Sequence, residues 1–189
     1  MEKIENCLKR IKQSKLIKVA IISVMFSIIL GTILHFVYQL SGENSIIAWL
    51  VPVNESVWEH LKLIFYPMII GSVIQYFCIN KIANNYIEAR VIGIFTAMSF
   101  VVVAFFTYTG IIGINFFIID VLIFITSIIL GEYVSYKLIK RKNESDIKTK
   151  ILASVIGIFL LICFIVCTYY TPEVNLFRDF QTGEYGINR

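Results

Sequence analysis

Two histidines and several acidic residues lie near the ends of apolar segments, where imidazole and carboxylate groups can bind metals or transfer protons. His35 stands five residues before the end of one segment, about 7 Å deep at 1.5 Å per helical residue. His60 stands about 6 Å deep in the next segment and Asp120 about 13 Å deep in a later one. These depths predict a shared polar site. Catalysis is assigned to Glu59, His60 and Asp120, and metal binding to His35, His60 and Glu59.

The same residues also fit a purely structural interpretation. Ser56 and Glu59 have the spacing of a capping box, in which the hydroxyl accepts the N3 amide proton and the carboxylate reaches back. Acidic residues in a first helical turn also interact favourably with the helix dipole. Further along the chain, Glu132 has structural partners of its own, either a nearby lysine, which we expect, or Gln75.

Aromatic and charged residues near the histidines form a candidate ligand-binding surface. The C-terminal segment 171–189 contains too many apolar residues for a disordered tail. We expect it to fold over the histidine-bearing helix ends as a lid, with Arg178 paired to Glu55 or Glu59. The alternative is an amphipathic tail that lies on the surface with its charges exposed. The candidate ligand-binding residues are Trp49, Glu55, Trp58, Tyr108 and Arg178.

The elements that must position these residues are membrane-spanning helices. Hydrophobic residues make up 58% of the 189 residues, charged residues make up 16%, and the mean hydropathy is +0.79. Soluble domains carry about 25% charged residues, which excludes a soluble fold. About 20 apolar residues span a bilayer, where helices satisfy their own backbone hydrogen bonds. The sequence predicts one all-α domain, 1–189, an integral membrane bundle of about five helices at 16–40, 57–79, 87–108, 111–138 and 151–170.

The positions of lysine and arginine predict the orientation of the bundle. Of the 17 basic residues, 14 lie in or close beside the N-terminal tail and the loops after the second and fourth spans; the others are Lys62, Arg178 and Arg189. The positive-inside rule then places the N-terminus in the cytoplasm and the C-terminus outside. The loop 41–56 would also lie outside, and its apolar middle, 46–51, would form an interfacial or re-entrant segment.

Several function classes are excluded or disfavoured by the sequence. The net charge of +4 comes from basic residues beside apolar spans, which do not form a nucleic-acid-binding stripe. The chain contains no P-loop, Rossmann fingerprint or nucleophile elbow, which excludes ATP hydrolysis and nicotinamide chemistry by this chain alone. A divalent metal such as zinc is a candidate cofactor. Haem between His35 and His60 is disfavoured because other haem-binding features are missing.

Two stretches of the sequence resemble a known protein family. They are Asn54-Glu-Ser-Val-Trp-Glu-His-Leu-Lys62, preceded by His35-Phe-Val-Tyr38, and the tail with Leu176-Phe-Arg-Asp179 and Thr182-Gly-Glu-Tyr-Gly-Ile187. Over essentially its whole length, the chain resembles a family of small bacterial multi-pass membrane proteins of unknown function. Asn175 departs from the family pattern, which more often has proline ahead of the Leu-Phe pair. The resemblance implies a five- or six-helix fold in a bacterial cytoplasmic membrane, and it supplies no activity.

Three functions are compatible with these features. The first is a multi-pass membrane protein whose outer-leaflet polar site is structural or ligand-binding, built from His35, Glu59, His60 and Asp120. The second is a metal-dependent intramembrane hydrolase or lipid-modifying enzyme that uses the same residues. The third is a substrate-capture subunit or small-molecule carrier. All three imply contact with membrane lipid. The enzyme and carrier functions, and a ligand-binding site, also imply a lipid or small-molecule ligand, and the sequence identifies no protein partner.

Overall fold

The computed structural model describes residues 2–79, 84–141 and 146–187, with side chains for 13–78, 84–141 and 146–187. In this part of the chain, all regular secondary structure is helical and no strand occurs. The α-helices are α1 (Glu2–Leu40), α2 (Val57–Ile79), α3 (Tyr86–Ile112), α4 (Phe117–Arg141) and α5 (Ile147–Tyr169). A 3-10 turn, Asn175–Phe177, follows in the C-terminal segment. The predicted all-α fold is confirmed.

Each of the five helices is long and apolar enough to cross a membrane. In α1 the apolar part is Gln13–Leu40, and the helix continues to Glu2 on its N-terminal side. Large apolar side chains remain exposed along the outer faces of these helices, for example Ile29, Phe95 and Phe159. Lipid hydrocarbon is the environment in which such faces are stable, so the chain is a multi-pass membrane protein.

The boundary between α3 and α4 differs from the one predicted. Helix α3 continues through Ile112, and Gly113 then ends it with a φ of 88°, a left-handed conformation that glycine adopts without strain. The N–H of Gly113 donates to the carbonyl of Thr109 at 2.7 Å. Helix α4 starts at Phe117, so residues 111 and 112, which were assigned to the fourth span, close the third helix.

Glycines allow the helix backbones to approach one another closely. A Cβ atom on Gly93 of α3 would lie 2.5 Å from the carbonyl oxygen of Gly131 in α4. Gly31 makes a similar approach from α1 to α2, where a Cβ would lie 2.5 Å from the carbonyl oxygen of Leu63. Small residues at such crossings are characteristic of helix packing in membranes. They place α2, the most buried of the five spans, at the centre of the bundle.

A buried ion pair joins the helices in the half of the bundle near the α2–α3 and α4–α5 connections, which we call the basic end. Arg90 donates through Nη1 and Nη2 to the two carboxylate oxygens of Glu132, at 2.6 and 2.7 Å. Ser23 and Gln75 donate to the same carboxylate at 2.7 and 3.3 Å. The expected pairing of Glu132 with a lysine is wrong, because the fork of the guanidinium matches both carboxylate oxygens at once. The alternative contact with Gln75 is present.

Candidate functional site

The opposite end of the bundle holds the segment 41–56, the α3–α4 turn at 113–116 and the C-terminal tail, 170–187; we call it the tail end. Here the last turns of α1, the residues before α2 and the first turn of α2 meet. They bring together His35, Glu55 and His60, which each offer one ligand atom, all within 4.8 Å of one another. The two imidazole ring centroids lie 5.3 Å apart. We call these three residues the His–Glu–His cluster.

Hydrogen bonding fixes which nitrogen of His60 carries a proton. Its Nδ1 lies 2.9 Å from the carbonyl oxygen of Ser56, which can only accept, so Nδ1 donates. Its Nε2 lies 3.3 Å from the Glu55 carboxylate. In the neutral ring with its proton on Nδ1, Nε2 carries a lone pair. A lone pair that faces a carboxylate is unfavourable, because both groups are hydrogen-bond acceptors. This arrangement requires either a proton on Nε2 or a cation between the two groups.

His35 and Glu55 are the other two candidate metal ligands of the cluster. The Nδ1 atom of His35 is buried and has no hydrogen-bond partner within the described residues. A buried polar atom without a partner costs free energy. His35 also offers one ring nitrogen within 4.8 Å of the ligand atoms of Glu55 and His60. With a proton on Nε2, the hydrogen bond from His60 holds the pKa of Glu55 below its ordinary value, although burial opposes this effect. Glu55 is therefore ionised at neutral pH and can serve as an anionic ligand.

Glu59 lies outside this cluster because a lysine binds it. The ammonium of Lys62, which is fully buried, lies 2.6 Å from the Glu59 carboxylate. Lys62 also donates to Thr168 Oγ1 at 2.7 Å and to the carbonyl of Ala48 at 2.8 Å. The acid that lies beside the two histidines is therefore Glu55, four residues earlier, and not the predicted Glu59. Sequence reasoning missed Lys62 as the partner, although its spacing from Glu59 is that of a helical ion pair.

The predicted capping box forms only in part. The backbone N–H of Glu59 donates to Ser56 Oγ at 3.3 Å, as the motif requires. The carboxylate of Glu59 instead accepts the N–H of Val53 at 3.0 Å. The N–H of Ser56 donates to Asn54 Oδ1 at 3.0 Å. Asn54 therefore supplies the second cap that Glu59 was expected to give.

Asp120 binds partners in the α3–α4 turn instead of a histidine. It accepts hydrogen bonds from the hydroxyl of Tyr108 and from Asn115 Nδ2. The same Tyr108 hydroxyl accepts the N–H of Phe116 at 3.2 Å. These bonds tie the end of α3 to the start of α4. The acid that we assigned to catalysis, and the tyrosine that we assigned to ligand binding, together hold this turn.

The two tryptophans of the candidate ligand surface are packed against other rings. Trp58 lies between Phe164 and Phe177, with ring centroids 4.8 Å from each. Its Nε1 is buried and has no hydrogen-bond partner in the described chain. Trp49 packs edge-on against Tyr66, whose hydroxyl donates to the Trp49 carbonyl at 2.6 Å. Trp58 therefore anchors the tail to α2 and α5, and Trp49 anchors the loop 41–56 to α2.

The tail reaches the cluster through an acid and not through the predicted arginine. Arg178 Nε lies 3.4 Å from the carbonyl of Gly183, within the tail, and the expected pairing with Glu55 or Glu59 is wrong. Asp179 instead accepts the backbone N–H of Glu55 at 3.0 Å. Burial alone would raise the pKa of Asp179, but backbone N–H donors from Thr182, Glu55 and Gln181 together lower it.

A comparison with protein-family models places this architecture in a known group. A model described as a family of unknown function, DUF6512, matches residues 8–187. The chain belongs to this family. The match runs from within α1 through the other four helices and nearly the whole tail, so the predicted membership of a family of unknown function is confirmed. No curated protein and no solved structure matches the chain.

Family membership supplies no activity, and the chemistry of the tail end follows from the ligand groups of the His–Glu–His cluster. Two imidazoles and one carboxylate are a common ligand set for zinc, and the same set binds non-haem iron. One ligand comes from α1, one from the segment before α2 and one from α2. The cluster can therefore bind a divalent transition metal and, through it, link two spans of this DUF6512 protein.

Proposed function

We propose that this DUF6512 protein binds a divalent transition metal ion, zinc in the first instance, through His35, Glu55 and His60. The observation that carries the proposal is the hydrogen bond from His60 Nδ1 to the Ser56 carbonyl. It directs the Nε2 lone pair toward the Glu55 carboxylate, 3.3 Å away. Metal-binding histidines typically donate their second ring nitrogen to a carbonyl or carboxylate in this manner.

The competing interpretation is a protonated His60 that forms a simple ion pair with Glu55. It accounts for two members of the cluster and leaves His35 unexplained, since the Nδ1 atom of His35 is buried and unpartnered within the described residues. A metal ion engages all three groups. We therefore prefer the metal, and the two interpretations make different predictions for metal content.

A second candidate, metal-dependent hydrolysis, is supported by the accessibility of the cluster. The side chains of His60 and Glu55 keep 32% and 35% of their surface exposed. Structural zinc sites are closed by four protein ligands, whereas catalytic sites have three and keep an open position. When bound there, a zinc ion would lower the pKa of a coordinated water to about 7 and polarise an ester or phosphoester oxygen. The bilayer makes lipid-borne substrates the expected class.

The cellular setting is part of the proposal. The distribution of basic residues supports a bacterial cytoplasmic membrane orientation in which the basic end faces the cytoplasm. The tail end would then face outward, and the cluster would lie near the depth of the outer lipid head groups. A metal ion would reach it from outside the cell, without crossing the membrane.

The test is metal analysis of the purified full-length protein in detergent after incubation with zinc and removal of excess ion. We expect one zinc per chain in the wild type and in Glu43→Gln, an exposed acid of the same loop that serves as the control. His35→Ala, Glu55→Gln and His60→Ala should each lose the ion. Zinc content that is absent in the wild type, or unaffected by all three substitutions, would overturn the proposal in favour of the His60–Glu55 ion pair.

A further inference from the structure

We infer that docking of the C-terminal tail positions Glu55 and thereby sets the metal affinity of the cluster. This inference rests on the metal-binding function proposed above and adds its regulation. Asp179 acts in it as a positioning residue, since its carboxylate accepts the backbone N–H of Glu55 and not a group of the metal ligand set itself.

The three ligands differ in how firmly the fold holds them. His35 lies within α1 and His60 within α2, so helical hydrogen bonds hold both backbones. Glu55 lies two residues before α2 begins, outside the helix. Its backbone N–H donates to Asp179 Oδ2 at 3.0 Å. The tail therefore supplies to Glu55 the backbone support that helices supply to the two histidines.

A second set of hydrogen bonds extends from the tail toward His60. Asn54 Nδ2 donates to the carbonyl of Gly186 at 2.9 Å. Asn54 Oδ1 accepts the N–H of Ser56 at 3.0 Å. The carbonyl of Ser56 then accepts the Nδ1 proton of His60. One chain of contacts thus connects the tail to the group that orients the Nε2 lone pair of His60.

The tail is itself ordered where it makes these contacts. Asp179 Oδ1 accepts the backbone N–H groups of Gln181 and Thr182 at 2.6 and 2.9 Å, which shapes a compact turn. Phe177 is buried against Trp58, and Phe180 packs against Phe105 with ring centroids 4.8 Å apart. The aromatic contacts attach the tail, and Asp179 transmits that attachment to Glu55.

Coupling of this kind has a definite size and works in both directions. Loss of groups that orient metal ligands typically lowers metal affinity about 10- to 100-fold. Because coupling between two binding equilibria is reciprocal, zinc must strengthen tail docking by the factor with which docking strengthens zinc binding. A tail that responds to metal in this way would report metal occupancy at the tail end of the bundle.

The first experiment measures zinc affinity by competition with a chromophoric chelator, using the full-length protein in detergent. We expect Asp179→Ala and Phe177→Ala to bind zinc about 10- to 100-fold more weakly than the wild type. Gln181→Ala is the matched control, since it removes an exposed tail side chain and keeps the N–H that Asp179 accepts. Thermal unfolding without metal distinguishes positioning from general destabilisation. We expect both tail variants to bind zinc more weakly while the metal-free helix bundle still unfolds cooperatively.

The second experiment tests the reverse direction. Trypsin cleaves after Arg178. In the docked tail, the backbone of Arg178 forms an isolated antiparallel β-bridge with Tyr185, which hinders cleavage. Release of the fragment that begins at Asp179 therefore reports undocking of the tail. Zinc should slow this release in the wild type and have no effect in Glu55→Gln. Wild-type affinity in both tail variants, or cleavage that ignores zinc, would overturn the inference and leave the metal-binding proposal intact. If the wild type binds no zinc at all, the metal-binding proposal itself fails.

Discussion

Lys62 and Glu59 form an ion pair of 2.6 Å in the interior of the bundle, and the lysine side chain has no exposed surface. Two charges within lipid-facing helices are costly unless each is neutralised and hydrogen-bonded. The further acceptors of Lys62 include Ala48, Val51 and Thr168, which belong to the loop 41–56 and to α5. The pair therefore joins the loop, α2 and α5 at the tail end.

Replacement of this lysine should destabilise the bundle strongly. Lys62→Met leaves the Glu59 carboxylate buried without its partner, and such a loss typically costs about 3–5 kcal/mol. Unfolding in mixed micelles by added SDS would measure it, with the exposed Lys148→Met as the control. The double variant Lys62→Met/Glu59→Gln should lose less than the sum of the single variants. A loss for Lys62→Met below about 1 kcal/mol, as for an exposed ion pair, would contradict this prediction.

Acidification should release the tail. Backbone N–H donors, among them that of Glu55, lower the pKa of the Asp179 carboxyl in the folded state. A lowered pKa stabilises docking fully at pH values above the unfolded-chain pKa, about 4, and the stabilisation is lost as the pH falls through the lower folded value. Fluorescence of Trp58 in a Trp49→Phe background, followed from pH 7 to pH 3, should report this loss.

Asp179→Asn provides the control for the acid titration, because an amide cannot take up the proton. Its fluorescence should change less over the same pH range than that of the parent protein. A parent tail that is released as the pH rises, or acid release that Asp179→Asn reproduces in full, would contradict the assignment of Asp179 as the group that responds.

Two glycines should respond oppositely to substitution by alanine. A Cβ on Gly93 would lie 2.5 Å from the Gly131 carbonyl oxygen, so Gly93→Ala must separate α3 from α4 and should cost about 1–3 kcal/mol. A Cβ on Gly157 of α5 would meet nothing within 4 Å. Gly157→Ala should be neutral or stabilise by up to about 1 kcal/mol, because alanine favours the helix. Equal effects of the two substitutions on SDS unfolding would argue against the close α3–α4 crossing.

The proposed orientation predicts which residues react with reagents outside the cell. In a variant without its four native cysteines, Asn44→Cys and Gln181→Cys at the tail end should react with a membrane-impermeant maleimide on intact cells. Lys140→Cys at the basic end should react only after the membrane is permeabilised. The opposite pattern would place the cluster on the cytoplasmic side.

Composition and the lengths of the apolar runs are sufficient to predict the class of the protein and the number of its helices. Apolar runs of about 20 residues become membrane helices because the requirement is local: each run must satisfy its own backbone in lipid. Helix ends were predicted less well, as the α3–α4 boundary illustrates. Glycines stand at both 110 and 113, and only the folded backbone decides that Gly113 takes the left-handed conformation that ends α3.

The tertiary structure decided which residues meet. Glu55 and Glu59 lie in the same short stretch, and local spacing cannot tell which carboxylate faces the histidines. The choice depends on Lys62, whose neighbours from Ala48 to Thr168 come together only when the loop 41–56 and α5 pack around α2. Likewise, the tail contacts the segment before α2 across 124 residues of sequence, through Glu55 and Asp179. Contacts of that range depend on how whole helices pack, and no local pattern encodes them.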